Sequence, residues 1–466
     1  MSILGIDLGT GSVKAAVVDD GAVLARAGQA YVVDAPRPGW AESDPEEWLA
    51  ATRSVAAQAL SGHSPTAVGF SGQMHGVVVT DADLRPLRPA ILWADTRSAE
   101  QARAMARDLP VETLSRLGSP AVTGFAATTL AWLTQYEPDV MARAVHALQP
   151  KDWLRARLGG ELATDPSDAS GTLLYDVAAG TWSAEAIAWA GIDASLLAPV
   201  RGSADRAGAI TVDGREIEAA VGGADTACAL AGLGLGAGDG FVAVGSGSQI
   251  VRVMDAPVLD ATLRTHTFAT TGAPATGWYR IGAVQSAGLT LTAALAWLGA
   301  SVAEAAATLG DGVHADDPIL VPYLSGERTP FMDPLMRGSW HRLTLATTRE
   351  ALLRSILEGV AQAVALGVAA VQESGAPLPE VVPLVGGGTH DPAFRQLLAD
   401  ATGLTLAVTD APDSAVVGAA LLGEGRSANP HPVERTAIVE PRPAAVALLR
   451  ERRGTMVTLA TTTEGS

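Results

Sequence analysis

The sequence predicts an α/β protein built from two similar domains, and three observations carry that expectation. Short β-like runs alternate with segments of helical periodicity along most of the chain, as layered α/β architectures require. A turn-and-strand pattern that begins at Gly9 returns at Gly245, where five of eleven positions are identical. Repetition on that scale implies duplicated architecture. Finally, 466 residues of which 48% are hydrophobic and 18% charged can bury large cores and do not read as disordered.

The elements follow in order. Ile3–Leu8 is a short apolar run, Gly9-Thr10-Gly11-Ser12 is a turn signal, and Val13–Asp19 is a second apolar run. Together they predict two antiparallel strands joined by a glycine turn, with a third strand near Val23–Ala25. Helical spacing covers Pro45–Leu60, Ala99–Leu109 and Ala184–Ala190, the last preceded by Ser183 as an N-cap. Ala67–Phe70 and Gly76–Thr80 read as strands between them. Gly232–Gly240 is rich in glycine and predicts a hinge. The second copy starts with Gly240–Val244, and helices are expected at Leu289–Leu298, Arg349–Val371 and Pro392–Thr402, with a strand at Val381–Val385. Beyond Gly425 the chain is rich in Pro and Arg and reads as a peripheral tail. The expected divisions are therefore 1–235, 236–425 and 426–466.

Charge narrows the partners. Lys plus Arg number 32 and Asp plus Glu 50, a net charge of −18. Such a surface repels nucleic-acid phosphates and anionic lipids, so neither nucleic acid nor membrane is an expected partner. Any bound phosphate must be held locally, by backbone N–H groups, a metal or a single cation. Only two residues are lysine, Lys14 and Lys151. The single cysteine, Cys228, excludes an intrachain disulfide and a cysteine-based zinc site, and fits a reducing cytoplasm. The N-terminus has no basic, apolar leader pattern, and no uncharged run is long enough to span a bilayer.

Four segments carry candidate chemistry. In Gly5–Lys14, glycines let backbone N–H groups converge on an anion, but no GxxxxGK[ST] motif is present and a strand follows instead of a helix. Asp7 beside such an anion calls for a divalent cation such as Mg²⁺, perhaps held through water; an ordinary hairpin is the plainer reading. In Gly69–Gly76, Gln73 and His75 follow a strand and can bind neutral hydroxyls, or fill a buried turn. Asp225 follows a glycine pair, as a desolvated base or as a helix N-cap. Gly386-Gly387-Gly388 lies between a strand and a helix, where a flat or anionic ligand can approach the backbone, or where the two elements simply pack closely. The remaining histidines, His266 and His431 among them, show no ligand spacing and read as structural or surface residues.

These segments together resemble the FGGY family of carbohydrate kinases, from Gly5 to about Gly423. Asp7-Leu8-Gly9-Thr10-Gly11-Ser12-Val13-Lys14, Gly39-Trp40-Ala41-Glu42-Ser43-Asp44-Pro45, Pro89–Arg97, Pro150–Leu154, Asp168–Thr172 and Tyr323–Pro330 are similar to family signatures. The resemblance implies two actin-like (ribonuclease H-like) ATPase domains flanking a catalytic cleft, with sugar mainly on the N-terminal side and ATP on the C-terminal side. It implies Asp225 as catalytic base, and Gln73, Met74, His75, Asp225 and Thr226 as sugar ligands. It implies Gly9, Thr10, Gly11, Ser12, Lys14, Gly245, Ser246, Gly247, Gly387 and Gly388 as phosphate and nucleotide ligands, with Asp7 helping to hold Mg²⁺. Ser71–Gly76 is most similar to members that phosphorylate D-xylulose at the 5-hydroxyl. Thr226 stands where the family usually has Asn or Gln, which leaves another ketose, a polyol or a sugar acid open. Thr389-His390-Asp391-Pro392 also departs from the usual stretch. An actin-like ATPase without a sugar substrate is the remote alternative. The resemblance suggests a homodimer.

Overall fold

The computed structural model describes residues 1–272, 277–310, 312–411, 413–429 and 433–462; His431 lies outside the described residues. Each half is organised around a seven-stranded sheet. In the first, β1 (Ile3–Leu8), β2 (Ser12–Asp19) and β3 (Ala22–Ala30) form an antiparallel meander, and β4 (Ala67–Gly72) runs parallel to β1 on its other side. The antiparallel pair β5 (Arg206–Val212) and β6 (Arg215–Ala220) extends the sheet beyond β4, with β7 (Gly223–Ala224) also on β4.

The second sheet repeats that centre. β8 (Gly240–Val244) pairs antiparallel with β9 (Ser248–Met254), and β9 lies between β8 and β11 (Trp278–Val284), with β10 (His266–Ala269) at the edge. β12 (Val381–Val385) runs parallel to β8, followed by β13 (Thr405–Thr409) and β14 (Arg435–Val439). The turn from β8 to β9 thus occupies in its sheet the corner that the turn from β1 to β2 occupies in the first. The repeat read from Gly9 and Gly245 is a repeat of strand topology.

Helices cover the sheets for reasons visible in their residues. In α1 (Pro45–Ala59), Asp44 caps the Glu46 N–H at 3.0 Å, Pro45 begins the helix, and Trp48, Leu49, Thr52, Val55 and Ala59 form the buried stripe. α2 (Asp225–Leu233) leaves the first sheet directly after β7. α3 (Arg349–Glu373) is long and apolar enough to cross a membrane by composition, and is mostly buried in the second core. α4 (Pro392–Thr402) starts at Asp391, whose carboxylate accepts from the Ala393 and Phe394 N–H groups.

Two features correct the expected divisions. α5 (Ser414–Gly423) belongs by sequence to the second unit, yet Val416, Val417, Ala420 and Leu421 pack with Ile3, Ala16, Val18 and Ala67 of the first. Its backbone nearly touches the sheet: a Cβ on Gly69 would fall 1.8 Å from the Ala419 carbonyl oxygen. Where α5 crosses α2, a Cβ on Gly418 would fall 1.9 Å from the Cys228 carbonyl oxygen. Nor is the segment after Gly425 peripheral. β14 joins the sheet, and α6 (Pro443–Thr462) buries Leu449, Met456 and Ala460 in the second core. Arg452 on α6 is 3% exposed and bound bidentately by Glu358 on α3, at 2.7 and 2.6 Å. Pro and Arg density read as surface; Arg452 is instead an internal anchor.

Candidate active site

The two glycine turns face one cleft. In the first, the Gly9 N–H donates to the Ser12 carbonyl at 2.9 Å, and the Trp93 indole N–H holds Thr10 Oγ1 at 2.9 Å. In the second, the Gly245 N–H donates to the Gly247 carbonyl at 2.8 Å. Thr10, Gly245, Ser246 and Gly247 line a cavity of about 430 Å³ together with Met74, His75, Asp225 and Thr226. Eight of the residues singled out from sequence therefore share one space, although they come from both halves of the chain.

Asp225 is the first residue of α2, partly exposed to the cavity. Desolvation, reinforced by the nearby Asp7 carboxylate, pushes its pKa up to about 6, against hydrogen bonds from the Thr226 N–H at 2.5 Å and hydroxyl at 3.1 Å. The helix cap is Ala224, and the Asp225 side chain is not spent on capping. Its backbone is anchored from behind. The Ala224 N–H donates to Ser167 Oγ at 2.9 Å, and Ser167 donates to Asp165. Asp165 is one of three carboxylates around the fully buried Lys151 ammonium, with Asp152 at 2.7 Å and Asp165 and Asp168 each at 3.0 Å. The second lysine is thus a buried charge centre that ties two short helices to the base of α2.

His75 sits in the left-handed region at φ 73° and stacks on Phe125 with ring centroids 3.8 Å apart. Burial, opposed by the Gly171 carbonyl and assisted by the Arg328 guanidinium, pulls its pKa down to about 3. The ring is neutral throughout the physiological range. A non-glycine residue held at positive φ beside a cleft is strained in the way functional sites tolerate.

Other expected ligands lie elsewhere. Gln73 is 1% exposed, with Nε2 3.5 Å from the Gly9 carbonyl; it supports the first turn and does not line the cavity. Lys14 is exposed on β2, opposite Asp7 in register. Gly9, Gly11 and Ser12 form the turn behind Thr10 without lining the cavity themselves. Gly386–Gly388 packs on Val244 at the end of β8, where a Cβ on Gly388 would fall 2.9 Å from the Val244 carbonyl oxygen. That places Gly387 and Gly388 next to the second turn but outside the cavity lining.

Asp7 accepts from Ser71 Oγ at 2.7 Å, and burial raises its pKa. Among the described residues no group of three or more His, Cys, Asp or Glu side chains could cage a metal. Asp7 and Asp225, close enough to repel, instead offer the sparse carboxylate environment that suits Mg²⁺, which keeps waters and takes its other ligands from substrate phosphates. The site fits that ion.

Several lining residues were not singled out from sequence: Trp93, Phe125, His266, Phe268, Gln285 and Arg328. Trp93 and Arg328 lie inside the quoted Pro89–Arg97 and Tyr323–Pro330 segments, a signal that was present. Phe125 and Phe268 carry none.

Comparison with known proteins decides the family. The N-terminal domain of the FGGY family of carbohydrate kinases matches residues 2–232, and its C-terminal domain matches residues 255–424. This chain belongs to the FGGY family of carbohydrate kinases. It is 35% identical over 417 residues to the xylulose kinase of Klebsiella pneumoniae, covering 86% of this chain and 85% of that one. It is 32% identical over 416 residues to the xylulose kinase of Escherichia coli strain K12, covering 86% and 85%. A crystal structure described as a xyloylose kinase from Brucella ovis superimposes with a TM-score of 0.90 at 31% identity, covering 99% of each chain. The fold is accordingly the actin-like two-domain fold of FGGY sugar kinases, and the chain is a sugar kinase.

Proposed function

We propose that this FGGY kinase transfers the γ-phosphoryl group of ATP to the 5-hydroxyl of D-xylulose. The observation that carries the reading is the single cavity in which Asp225, the Met74–His75 pair and both glycine turns meet. The relatives named xylulose kinase supply the sugar.

Phosphoryl transfer needs positioning and electrostatics more than covalent chemistry. Asp225, with a pKa of about 6, is mostly ionised at neutral pH and still basic enough to accept the hydroxyl proton as attack develops. Thr10 and Ser246 present turn backbone and hydroxyl groups to phosphate oxygens, with Gly387 and Gly388 placed further along toward the nucleoside. Lys14 stands on the Asp7 side of that path. Asp7 would hold Mg²⁺, which when bound would supply charge neutralisation for the transferring phosphoryl group. Met74 walls the sugar site, and neutral His75 offers Nε2 to a sugar hydroxyl. On the family resemblance we further propose a homodimer, and on the single cysteine a cytoplasmic location, with free sugar and nucleotide as partners.

Thr226 is the position on which sugar identity turns. Its hydroxyl is engaged by Asp225 at 3.1 Å and is shorter than the amide usual in the family. The test is a panel of ketoses, polyols and sugar acids in a coupled ADP-release assay. D-Xylulose is expected to give the highest kcat/KM; a better substrate from another class overturns the sugar assignment, and no turnover with any sugar overturns the kinase reading.

A further inference from the structure

The cleft contains a polar atom that none of these roles uses. His266, on β10 of the second sheet, is 2% exposed and lines the cavity. Its Nδ1 lies 3.1 Å from Ser119 Oγ, while its Nε2 is buried without a hydrogen-bond partner. The ring packs beside two near-parallel neighbours, 5.8 Å from Phe125 at 21° and 5.7 Å from Phe268 at 14°, which are themselves 6.4 Å apart. Phe125 in turn stacks on His75, and all four rings line the same cavity.

Packing alone does not explain a histidine here. A phenylalanine would fill the same stack and leave no unpaired nitrogen, and a buried polar atom without a partner destabilises a fold. Phe125 and Phe268 packed beside the ring, with Ser119 on Nδ1, hold the imidazole in place. Burial, with the Arg328 guanidinium adding to it, keeps the ring uncharged. What remains is one directional hydrogen bond without charge, on a side chain that lines the cavity. That chemistry suits a hydroxyl or carbonyl oxygen of a neutral polyhydroxy compound.

We propose that His266 is a substrate-binding residue contributed by the second sheet, whose Nε2 hydrogen-bonds an oxygen of the acceptor sugar. The proposal rests on the kinase reading above and deepens it: the sugar is read from both halves of the chain, by His75 in the bend after β4 and by His266 on β10. Specificity then draws on a position that lies outside the Ser71–Gly76 segment.

The test compares KM for acceptor and for ATP in wild type, His266→Phe and His266→Gln, using D-xylulose or the best sugar of the panel. Phe keeps the stack and removes the nitrogen; the Gln amide can reach the Nε2 position. Losing one neutral hydrogen bond at a polar ligand should raise acceptor KM about five- to thirty-fold in His266→Phe. KM for ATP should stay unchanged, and His266→Gln should recover part of the loss. If His266→Phe does not fold, His266→Asn replaces it, since its shorter amide can keep the Ser119 contact without reaching Nε2. An unchanged acceptor KM, a parallel rise in both KM values, or a Gln variant no better than Phe overturns the role of His266. A wild-type protein that phosphorylates no sugar overturns the kinase reading instead.

Discussion

The His75 imidazole donates its Nδ1–H to the Gly171 carbonyl oxygen across 2.6 Å. A carbonyl can only accept, so the hydrogen bond fixes the tautomer and leaves Nε2 as an acceptor. Gly171 has no room for a side chain: a Cβ there would stand 2.8 Å from Met74 Cε and 3.0 Å from His75 Nδ1. Gly171→Ala should therefore displace both proposed sugar ligands at once. Acceptor KM is expected to rise at least about tenfold, as misplacement of positioning groups does, with KM for ATP unchanged. Equal KM values in mutant and wild type would exclude the contact from sugar binding.

Asp225 should impose a pH profile. Its carboxyl titrates near 6, and only the ionised form accepts a proton. kcat/KM is thus expected to fall about tenfold per pH unit below that value and to level off above it. Asp225→Asn should lose roughly 10²–10⁴-fold in kcat. The folded pKa lies above the unfolded one, so the native state holds this proton more tightly, and stability falls as pH rises through the interval from the ordinary carboxyl value to about 6. Asp225→Asn should accordingly melt at a higher temperature than wild type at pH 8, by a larger margin than at pH 5. A melting gain independent of pH would contradict the raised pKa.

Removing the Asp7 carboxylate should shift metal demand. In Asp7→Asn, half-maximal activity at fixed ATP is expected to need at least several-fold more Mg²⁺, and saturating metal should not restore full kcat. A titration curve superimposable on wild type would remove Asp7 from the metal site.

The crossing of α2 and α5 leaves no space for a methyl group. Gly418→Ala would drive its Cβ to 1.9 Å from the Cys228 carbonyl oxygen, so the helices must part. Overpacking typically costs about 1–3 kcal/mol, and a backbone-on-backbone clash belongs at or above the upper end. Chemical denaturation should show that loss, whereas Gly425→Ala, with nothing within 4 Å but φ +84°, should lose only about 1 kcal/mol. Equal stabilities for Gly418→Ala and wild type would refute the close approach.

The local elements were legible because their signals are local. Ser183 announces a helix start and accepts from the Ala186 N–H, and the Gly9 and Gly245 turns carry their own repeat. Asp225, Met74 and His75 were legible because each sits in a compact motif. His266, Phe125 and Phe268 were not: a ring stack between two sheets is assembled by topology, and none of its members has a distinctive neighbour in sequence. Gln73 misled because alternate residues of a segment point different ways, and the same short motif that sends His75 to the cleft turns Gln73 toward the Gly9 carbonyl. Arg452 was read as surface because composition cannot reveal that Glu358, ninety-four positions earlier, waits inside.

α5 also constrains how the chain can be made. The N-terminal sheet is threaded early in synthesis, but the face formed by Ile3, Ala16 and Ala67 stays uncovered until Ser414–Gly423 has left the ribosome. The halves therefore cannot mature one after the other like beads on a string. A fragment ending before α5 would emerge with a bare, sticky flank, and supplying the missing helix as a separate peptide is the natural way to rescue it.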